Sequence, residues 1–155
     1  MNKYPVWWST TITLYNRHEN KETGLITWYR TVIPNCFWKY IGNKIAFSNY
    51  YSANNSMVLE TSDTICRIPI NPAYLDNYEW DNVPNDQRGD YFTFKIGDII
   101  ANGDIEEEIN EYLAGHRSTD FIAKYKERLG CIEITKFANF SGPGRVNEHY
   151  YINGV

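Results

Sequence analysis

Residues 10–16 are Thr-Thr-Ile-Thr-Leu-Tyr-Asn, a stretch in which polar and apolar side chains alternate. A period of two is typical of a β-strand with one buried face, here the face of Ile12 and Leu14. Residues 17–24 are mostly polar or charged and end in a glycine, and residues 25–32 are again rich in β-branched and aromatic side chains. This order predicts a β-hairpin with an exposed loop. Pro34 interrupts the second strand and predicts an edge position or a bulge, because proline cannot donate a ladder hydrogen bond.

Further strands are predicted wherever β-branched and aromatic residues cluster between turn residues. These segments are residues 57–60, 64–70, 91–96, 99–101, 131–137 and 149–152. Residues 41–56 lack a clean period and are predicted to form a loop, with a short strand near 44–47. Residues 71–90 are polar and also predicted as a loop. So long a loop in a compact domain is usually functional, and its aromatic side chains indicate that it docks on something.

A change of period at Asp104 predicts two helices. Ile105 and Ile109 lie on one face of the first, with Tyr112 and Leu113, and Gly115 ends it. Ser118 is a natural cap for the second, whose apolar stripe includes Phe121 and Leu129. The predicted fold is therefore mainly β (α+β), a small β-barrel or sandwich with a two-helix insertion near residues 104–129. Residues 1–155 form one domain, with strands in 10–40, 57–70, 91–103 and 131–153 and loop excursions at 41–56 and 71–90.

Composition narrows the class of protein. The chain has 155 residues, which suits one domain with a real core, and a net charge of −4, which does not favour a general nucleic-acid surface. Cys36, Cys66 and Cys131 lack metal spacing and lie among apolar neighbours, so we expect buried free thiols in a reducing compartment. No apolar run long enough for a signal peptide or a membrane span occurs. We expect a protein that is made in a cytoplasm and does not enter a membrane.

Candidate catalytic groups each have a structural explanation. No pair of the three histidines has the spacing of a helical metal site. Ser118 is better explained as a helix cap than as a nucleophile, and residues 106–108, three glutamates, fan out around a helix instead of converging. Residues 142–145, Gly-Pro-Gly-Arg, lack the spacing of a phosphate-binding loop. We therefore predict no enzymatic activity, no metal and no cofactor.

Three segments together carry a family resemblance. They are residues 11–33, with their hairpin loop; residues 95–103, Lys-Ile-Gly-Asp-Ile-Ile-Ala-Asn-Gly; and residues 132–152, which end in His-Tyr-Tyr-Ile. This order resembles the small β-barrel proteins of tailed-bacteriophage necks, the head–tail joining or stopper (head-closure) proteins. It is also similar to uncharacterised phage proteins encoded among virion structural genes.

The resemblance implies a structural virion protein of the neck, made in the bacterial host cytoplasm. Its partners would be further copies of itself in a ring of six or twelve, a portal or adaptor protein on one side, and a tail terminator or tail tube protein on the other. Nucleic-acid contact would be limited to packaged DNA in the channel. Loops with aromatic anchors would make the contacts with neighbours, and the candidates are Tyr50, Tyr51, Tyr74, Tyr78, Trp80 and Arg88.

A channel that must not hold DNA needs acidic groups, which repel phosphate. The candidate channel-facing residues lie in exposed loops and are Glu19, Glu22, Asp81, Asp86 and Asp90. Ordinary solvated acidic loops would have the same composition.

Two other functions fit the sequence. A tail-completion or terminator protein, or another minor virion protein, would look much the same. A carbohydrate- or ligand-binding β module is the alternative from another class, since exposed tryptophans such as Trp7, Trp8, Trp28 or Trp80 could stack on sugar rings.

Overall fold

Six strands, two short α-helices and one 3-10 helix form the described part of the chain. The computed structural model describes residues 4–47, 58–126, 130–144 and 147–155, and for residues 42–47 and 58–62 it describes the backbone alone. In chain order the elements are β1 (Thr10–Glu19), β2 (Ile26–Phe47), β3 (Val58–Pro69), α1 (Asn77–Asp81), the 3-10 helix (Arg88–Asp90), β4 (Ile99–Asn102), α2 (Ser118–Tyr125), β5 (Cys131–Phe140) and β6 (His149–Gly154). No helix among these residues has the length and apolarity needed to cross a bilayer.

The strands close into an antiparallel barrel in the order β1-β2-β3-β6-β5-β4, and β4 pairs with β1 to complete it. This confirms the predicted small, mainly-β barrel and decides against the sandwich. The hairpin of β1 and β2 is also confirmed. Thr10 pairs with Cys36 and Ile12 with Ile33, so β2 has one extra residue at Pro34–Asn35. Asn35 has a φ of 59°, and the proline therefore lies at a bulge.

The barrel interior follows the alternation seen in the sequence. Ile12 and Leu14 point inward, as predicted, and belong to one buried cluster with inward residues of every other strand. The remaining buried members of this core are Ile33, Cys36, Cys66, Ile68, Phe92, Phe94, Ile100, Ile132, Ile134, Tyr150 and Ile152. Cys36, Cys66 and Cys131 are free and buried, as predicted.

A second apolar cluster covers the outside of the barrel at β1 and β4. Tyr15, Ile99 and Ala101 face outward, and Ile105 and Ile109 pack over them together with Phe121 of α2. We call residues 103–125 the excursion. Because the excursion buries the outer face of β1, this strand is covered on both sides, which alternation alone does not reveal.

The predicted insertion contains one helix instead of two. The second predicted helix is present as α2, but residues 104–117 form turns and irregular chain, so the predicted helix from Asp104 is wrong. Side chains of the barrel form hydrogen bonds with backbone groups of residues 105 and 107, in place of bonds within a helix. The Ile105 N–H donates to Thr13 Oγ1, the Ile105 carbonyl accepts from Arg30 Nε, and the Glu107 carbonyl accepts from the Tyr15 hydroxyl.

Two predicted boundaries also differ. Residues 91–96 are not a strand; they are irregular chain that delivers Phe92 and Phe94 to the core, and only β4 is extended. Residues 41–47 all belong to β2, so the short strand predicted near 44–47 is present, whereas residues 41–43 are strand where a loop was predicted. The segment 41–47 pairs with residues 58–63 of β3, past the last residues that pair with β1 and β6. We call this two-stranded extension of the barrel the arm.

Candidate functional site

A polar cleft of about 480 Å³ lies between the β1–β2 hairpin loop and the segment that joins β3 to β4. The hairpin gives the cleft one wall, which includes Glu19 and Glu22, and residues 81–95 give the other. The lining residues are Arg17, His18, Glu19, Asn20, Lys21, Glu22, Asp81, Asn82, Asn85, Arg88 and Lys95. We call it the hairpin cleft.

Trp80 lies behind the lining of the hairpin cleft, in contact with its residues His18 and Lys95, and is fully buried, with 0% of its surface exposed. Its ring meets Tyr29 and His18 edge-on, at centroid distances of 5.6 and 5.8 Å. The Lys95 ammonium lies 4.4 Å from the centre of the same ring. Helix α1, which begins where Asp76 Oδ1 accepts from the Glu79 N–H, turns Trp80 inward and leaves Tyr78 exposed.

Arg88 fastens the segment 80–90 into one unit. Its side chain is buried, with 4% exposed, and donates to the carbonyl oxygens of Trp80, Asp81 and Val83 at 3.3, 3.1 and 2.6 Å. It also donates to Asn85 Oδ1 at 2.5 Å and to the Tyr29 hydroxyl at 3.3 Å. These acceptors are all neutral. No described carboxylate forms an ion pair with the guanidinium, which adds a positive charge to the inner wall of the hairpin cleft.

The charge of Arg88 also influences its neighbours. Burial lowers the pKa of His18, and the nearby Arg88 guanidinium lowers it further, so both effects favour the neutral imidazole. Burial likewise lowers the pKa of Lys95, against the opposing effect of Asp98 and Asp81. Lys95 Nζ donates to the Arg17 carbonyl and lies 3.9 Å from Asp81 Oδ1, which ties the two walls of the cleft together.

Asn16 and Asp98 form a buried polar pair behind these residues. Asn16 Nδ2 donates to Asp98 Oδ2 at 2.7 Å and to the Thr93 carbonyl at 2.7 Å. The backbone N–H groups of Arg17 and Lys95 donate to the same carboxylate at 3.0 Å each. Burial raises the pKa of Asp98 to about 6, although these hydrogen bonds act to lower it. The pair holds the segment 93–98 against β1.

The chemistry available in the hairpin cleft is that of charged contacts. Its lining contains carboxylates and cations, with no Ser, Thr or Cys to act as a nucleophile. Across the residues with described side chains, no group of three His, Cys, Asp or Glu could hold a metal ion. The arrangement suits binding to a charged surface of another molecule.

Three of the predicted acidic residues come together in this cleft. Glu19, Glu22 and Asp81 line it, but Arg17, Lys21 and Lys95 lie between them, so the lining is of mixed charge. Asp86 and Asp90 are exposed and lie outside the cleft lining. A channel-facing role for these five residues stays a prediction.

Among the four predicted contact residues that the structure describes, Tyr78 is the one presented to solvent, with 80% of its surface exposed. Trp80 and Arg88 were also predicted to contact a neighbour, and this prediction is corrected: both side chains are buried inside the domain. Tyr74 is half-buried and stacks on Phe94 at 5.6 Å. Tyr50 and Tyr51 lie outside the described residues. The aromatic loop 71–90 thus docks largely on its own barrel.

Sequence reasoning missed Asn16, Lys95 and Asp98, which are far apart in the chain and carry no shared motif. One signal was available for Asp98. It follows Gly97 in a tight turn between two apolar stretches, where a carboxylate commonly accepts backbone N–H groups.

Comparison with known proteins identifies the family of this chain, and that family is one of unknown function. No curated protein and no solved structure matches the chain. Residues 7–155 match the model of a family of unknown function, DUF6751, which covers nearly the whole chain, and the protein therefore belongs to that family.

Proposed function

We propose that the protein is a structural component of the neck of a tailed bacteriophage, a head–tail connector of the stopper type. In this proposal, copies form a ring between the portal or adaptor and the tail, and the protein is located in the virion. The support is the resemblance of three sequence segments to neck proteins, together with the closed six-stranded barrel to which they contribute five of the strands.

The observation that carries the proposal is the arm. Residues 41–47 and 58–63 pair with each other, and neither strand has a second partner among the described residues. Seven residues of strand reach roughly 20 Å beyond the barrel. A two-stranded ribbon is at best marginally stable alone, and its open edges offer unpaired N–H and C=O groups to a neighbour. Such an arm favours a protein whose structure is completed by assembly.

The exposed groups around the hairpin cleft suit the axial contacts of a ring subunit. Tyr78 projects from α1, and Glu19, Glu22, Asp86 and Asp90 are all exposed. Because Arg17, Lys21 and Lys95 lie between the acidic residues of the cleft, we favour a contact with a neck or tail neighbour for the cleft itself. In this proposal, Asp86 and Asp90, which lie outside the cleft lining, would be the acidic residues that repel DNA.

A carbohydrate-binding module is less well supported. Trp8, Trp28 and Trp80 are buried, which leaves Trp7 as the exposed member of the four tryptophans that could stack on sugars. A tail-completion protein would share the barrel and the arm, so it stays the alternative within the same class.

The test uses a phage that encodes this chain. Mass spectrometry of purified virions should detect the protein, and electron microscopy of particles labelled with a specific antibody should place the label at the neck. A phage in which a short Gly-Ser turn replaces residues 44–60 should fill its heads and build its tails but fail to join them. Shortening the loop at residues 141–144, which lies outside the arm and the hairpin cleft, by two residues is the matched control for a changed loop length. Absence of the protein from purified virions would overturn the proposal.

A further inference from the structure

The outer face of the barrel at β3 and β6 is basic and aromatic. Phe37, Arg67 and Tyr151 are direct cross-strand neighbours on β2, β3 and β6. The Arg67 guanidinium lies 5.3 Å from the Phe37 ring and 6.0 Å from the Tyr151 ring. The next outward row carries Lys39 on β2 and Lys136 on β5, both exposed. We call these five residues the basic face.

The basic face is unusual for an acidic chain. Residues 36–40, 65–69, 136–140 and 149–153 contain three cations and no Asp or Glu, while the whole chain has a net charge of −4. Arg67 Nε is buried and has no hydrogen-bond partner, and no described carboxylate forms an ion pair with Arg67. A partly exposed guanidinium held between two aromatic rings, on a surface without carboxylates, is typical of a contact residue in an interface.

The opposite side of the barrel is acidic. Residues 104–111 of the excursion contain five carboxylates and no basic residue. Three of them are used internally: Asp104 pairs with Arg30, Glu107 with Lys124, and Glu111 accepts from Trp28 Nε1. The other two, Glu106 and Glu108, are exposed and have no hydrogen bond or ion pair with a described side chain. We call Glu106 and Glu108 the acidic pair.

The barrel order places the two surfaces on opposite sides. In the closed order β1-β2-β3-β6-β5-β4, the pair β3 and β6 is diametrically opposite the pair β1 and β4. The excursion that carries the acidic pair packs on the outside of β1 and β4, through Tyr15, Ile99 and Ala101. Surfaces that are complementary and lie on opposite sides of one subunit cannot meet within that subunit. They can meet between copies, head to tail.

We propose that the basic face of one copy binds the acidic pair of the next copy, and that this contact is the lateral interface of the ring. The inference rests on the proposed ring and adds to it the surfaces that join its subunits. Faces that are nearly opposite require only a small rotation between neighbours, which suits a ring of many copies. Trp7, 69% exposed beside Trp8, which itself contacts Phe37, provides an apolar border for the contact.

The test is a charge exchange in the purified full chain, followed by sedimentation velocity and native mass spectrometry. The wild type should associate at low salt and dissociate as salt is raised, because charges at the rim of an interface are screened. Arg67→Glu should weaken association at least about tenfold. The double variant Glu106→Lys/Glu108→Lys should do the same. Since Arg67 is half-buried, Lys39→Glu/Lys136→Glu provides a second variant of the basic face that changes only exposed side chains.

The decisive sample is a mixture. Each variant alone places like charges opposite each other in part of the contact, but when Arg67→Glu is mixed with Glu106→Lys/Glu108→Lys, alternating copies again place opposite charges at position 67 and at positions 106 and 108. Association of the mixture supports the proposal. Glu79→Lys, an exposed charge reversal on α1, should associate like the wild type. If the variants associate as strongly as the wild type, the lateral interface lies elsewhere and the neck proposal survives. A wild type that stays monomeric at every concentration overturns the interface, while the virion experiment decides the neck role separately.

Discussion

The Arg88 guanidinium lies 5.5 Å from the Trp80 ring, and its Nε donates to the Trp80 carbonyl oxygen at 3.3 Å. Arg88 thus contacts both the backbone and the side chain of Trp80. The contact fixes the segment that forms one wall of the hairpin cleft. It also explains why an aromatic side chain in a polar loop is fully buried.

Truncation of Trp80 should unfold this segment or the whole domain. Trp80→Ala removes a fully buried ring and should lower the free energy of unfolding by about 3–5 kcal/mol. Tyr78→Ala, two residues away in the same short helix, removes a ring that is 80% exposed and should change it by less than about 0.5 kcal/mol. Urea denaturation followed by circular dichroism measures both. A loss of stability in Trp80→Ala as small as that expected for Tyr78→Ala would mean that Trp80 does not contribute to the core.

Substitution of Arg88 by lysine should destabilise the protein. A lysine ammonium keeps the charge but cannot reach the carbonyl groups of Trp80, Asp81 and Val83 together. We expect Arg88→Lys to cost about 2–4 kcal/mol, since buried carbonyl oxygens lose their donors. Arg17→Lys, at an exposed ion pair with Glu19, is the matched control and should be nearly neutral. A stable Arg88→Lys protein would show that water satisfies those carbonyls.

Asp98 should make the protein less stable as pH rises, which is the opposite of the usual effect of a carboxyl group. Its pKa in the folded protein is about 6, above the value of 3.8 expected when it is unfolded. Between these values the folded state binds more protons, so the contribution of Asp98 to stability falls as pH rises from about 4 to 6. The total is roughly 3 kcal/mol for a shift of this size.

Carbon-detected NMR titration of the Asp98 carboxyl group measures this pKa directly. Urea midpoints of the wild type and Asp98→Asn, compared between pH 4 and 7, should differ by an amount that changes with pH. Asp98→Asn should also lose stability at every pH. Its amide group would face the donors Asn16 Nδ2 and the Lys95 N–H. An Asp98 titration midpoint near 4 would contradict the prediction.

Glycine at position 154 allows two strands to approach closely. A Cβ there would lie 2.5 Å from the Glu133 carbonyl oxygen and 2.8 Å from Ile132 Cδ1, which is closer than backbone atoms tolerate. Gly154→Ala should therefore lower the melting temperature by several degrees. At Gly89 an added Cβ meets Tyr29 Cδ1 at 3.8 Å, an ordinary contact, so Gly89→Ala should leave the melting temperature almost unchanged. A tolerated Gly154→Ala would mean that β5 and β6 can separate locally.

Sequence patterns predicted the strands better than the segments that cover them. The alternation at Ile12 and Leu14 placed β1 correctly, because a one-sided pattern reports the barrel interior. Ile105 and Ile109 have helical spacing, yet both pack on the outer face of the barrel, and hydrogen bonds to Thr13 and Arg30 fix the backbone of Ile105. Tertiary contacts of this kind leave no mark on local periodicity.

The candidate site was predicted in part, for a similar reason. Glu19 and Glu22 were recognisable as members of an exposed loop, and they do line the hairpin cleft. Trp80 looked like a surface anchor because its neighbours in sequence are polar. Its neighbours in space, Tyr29 and His18, belong to the hairpin some 50 residues or more earlier in the chain. Only the fold brings those residues together.

The position of β6 in the barrel has a consequence for the order of events in the cell. β6 is the last strand in the chain, and it pairs with β3 on one side and β5 on the other. During synthesis the barrel therefore stays open until residues 149–154 have left the ribosome, and pairings between distant strands form slowly. Tyr151 belongs to the basic face, so that face is also unfinished until then.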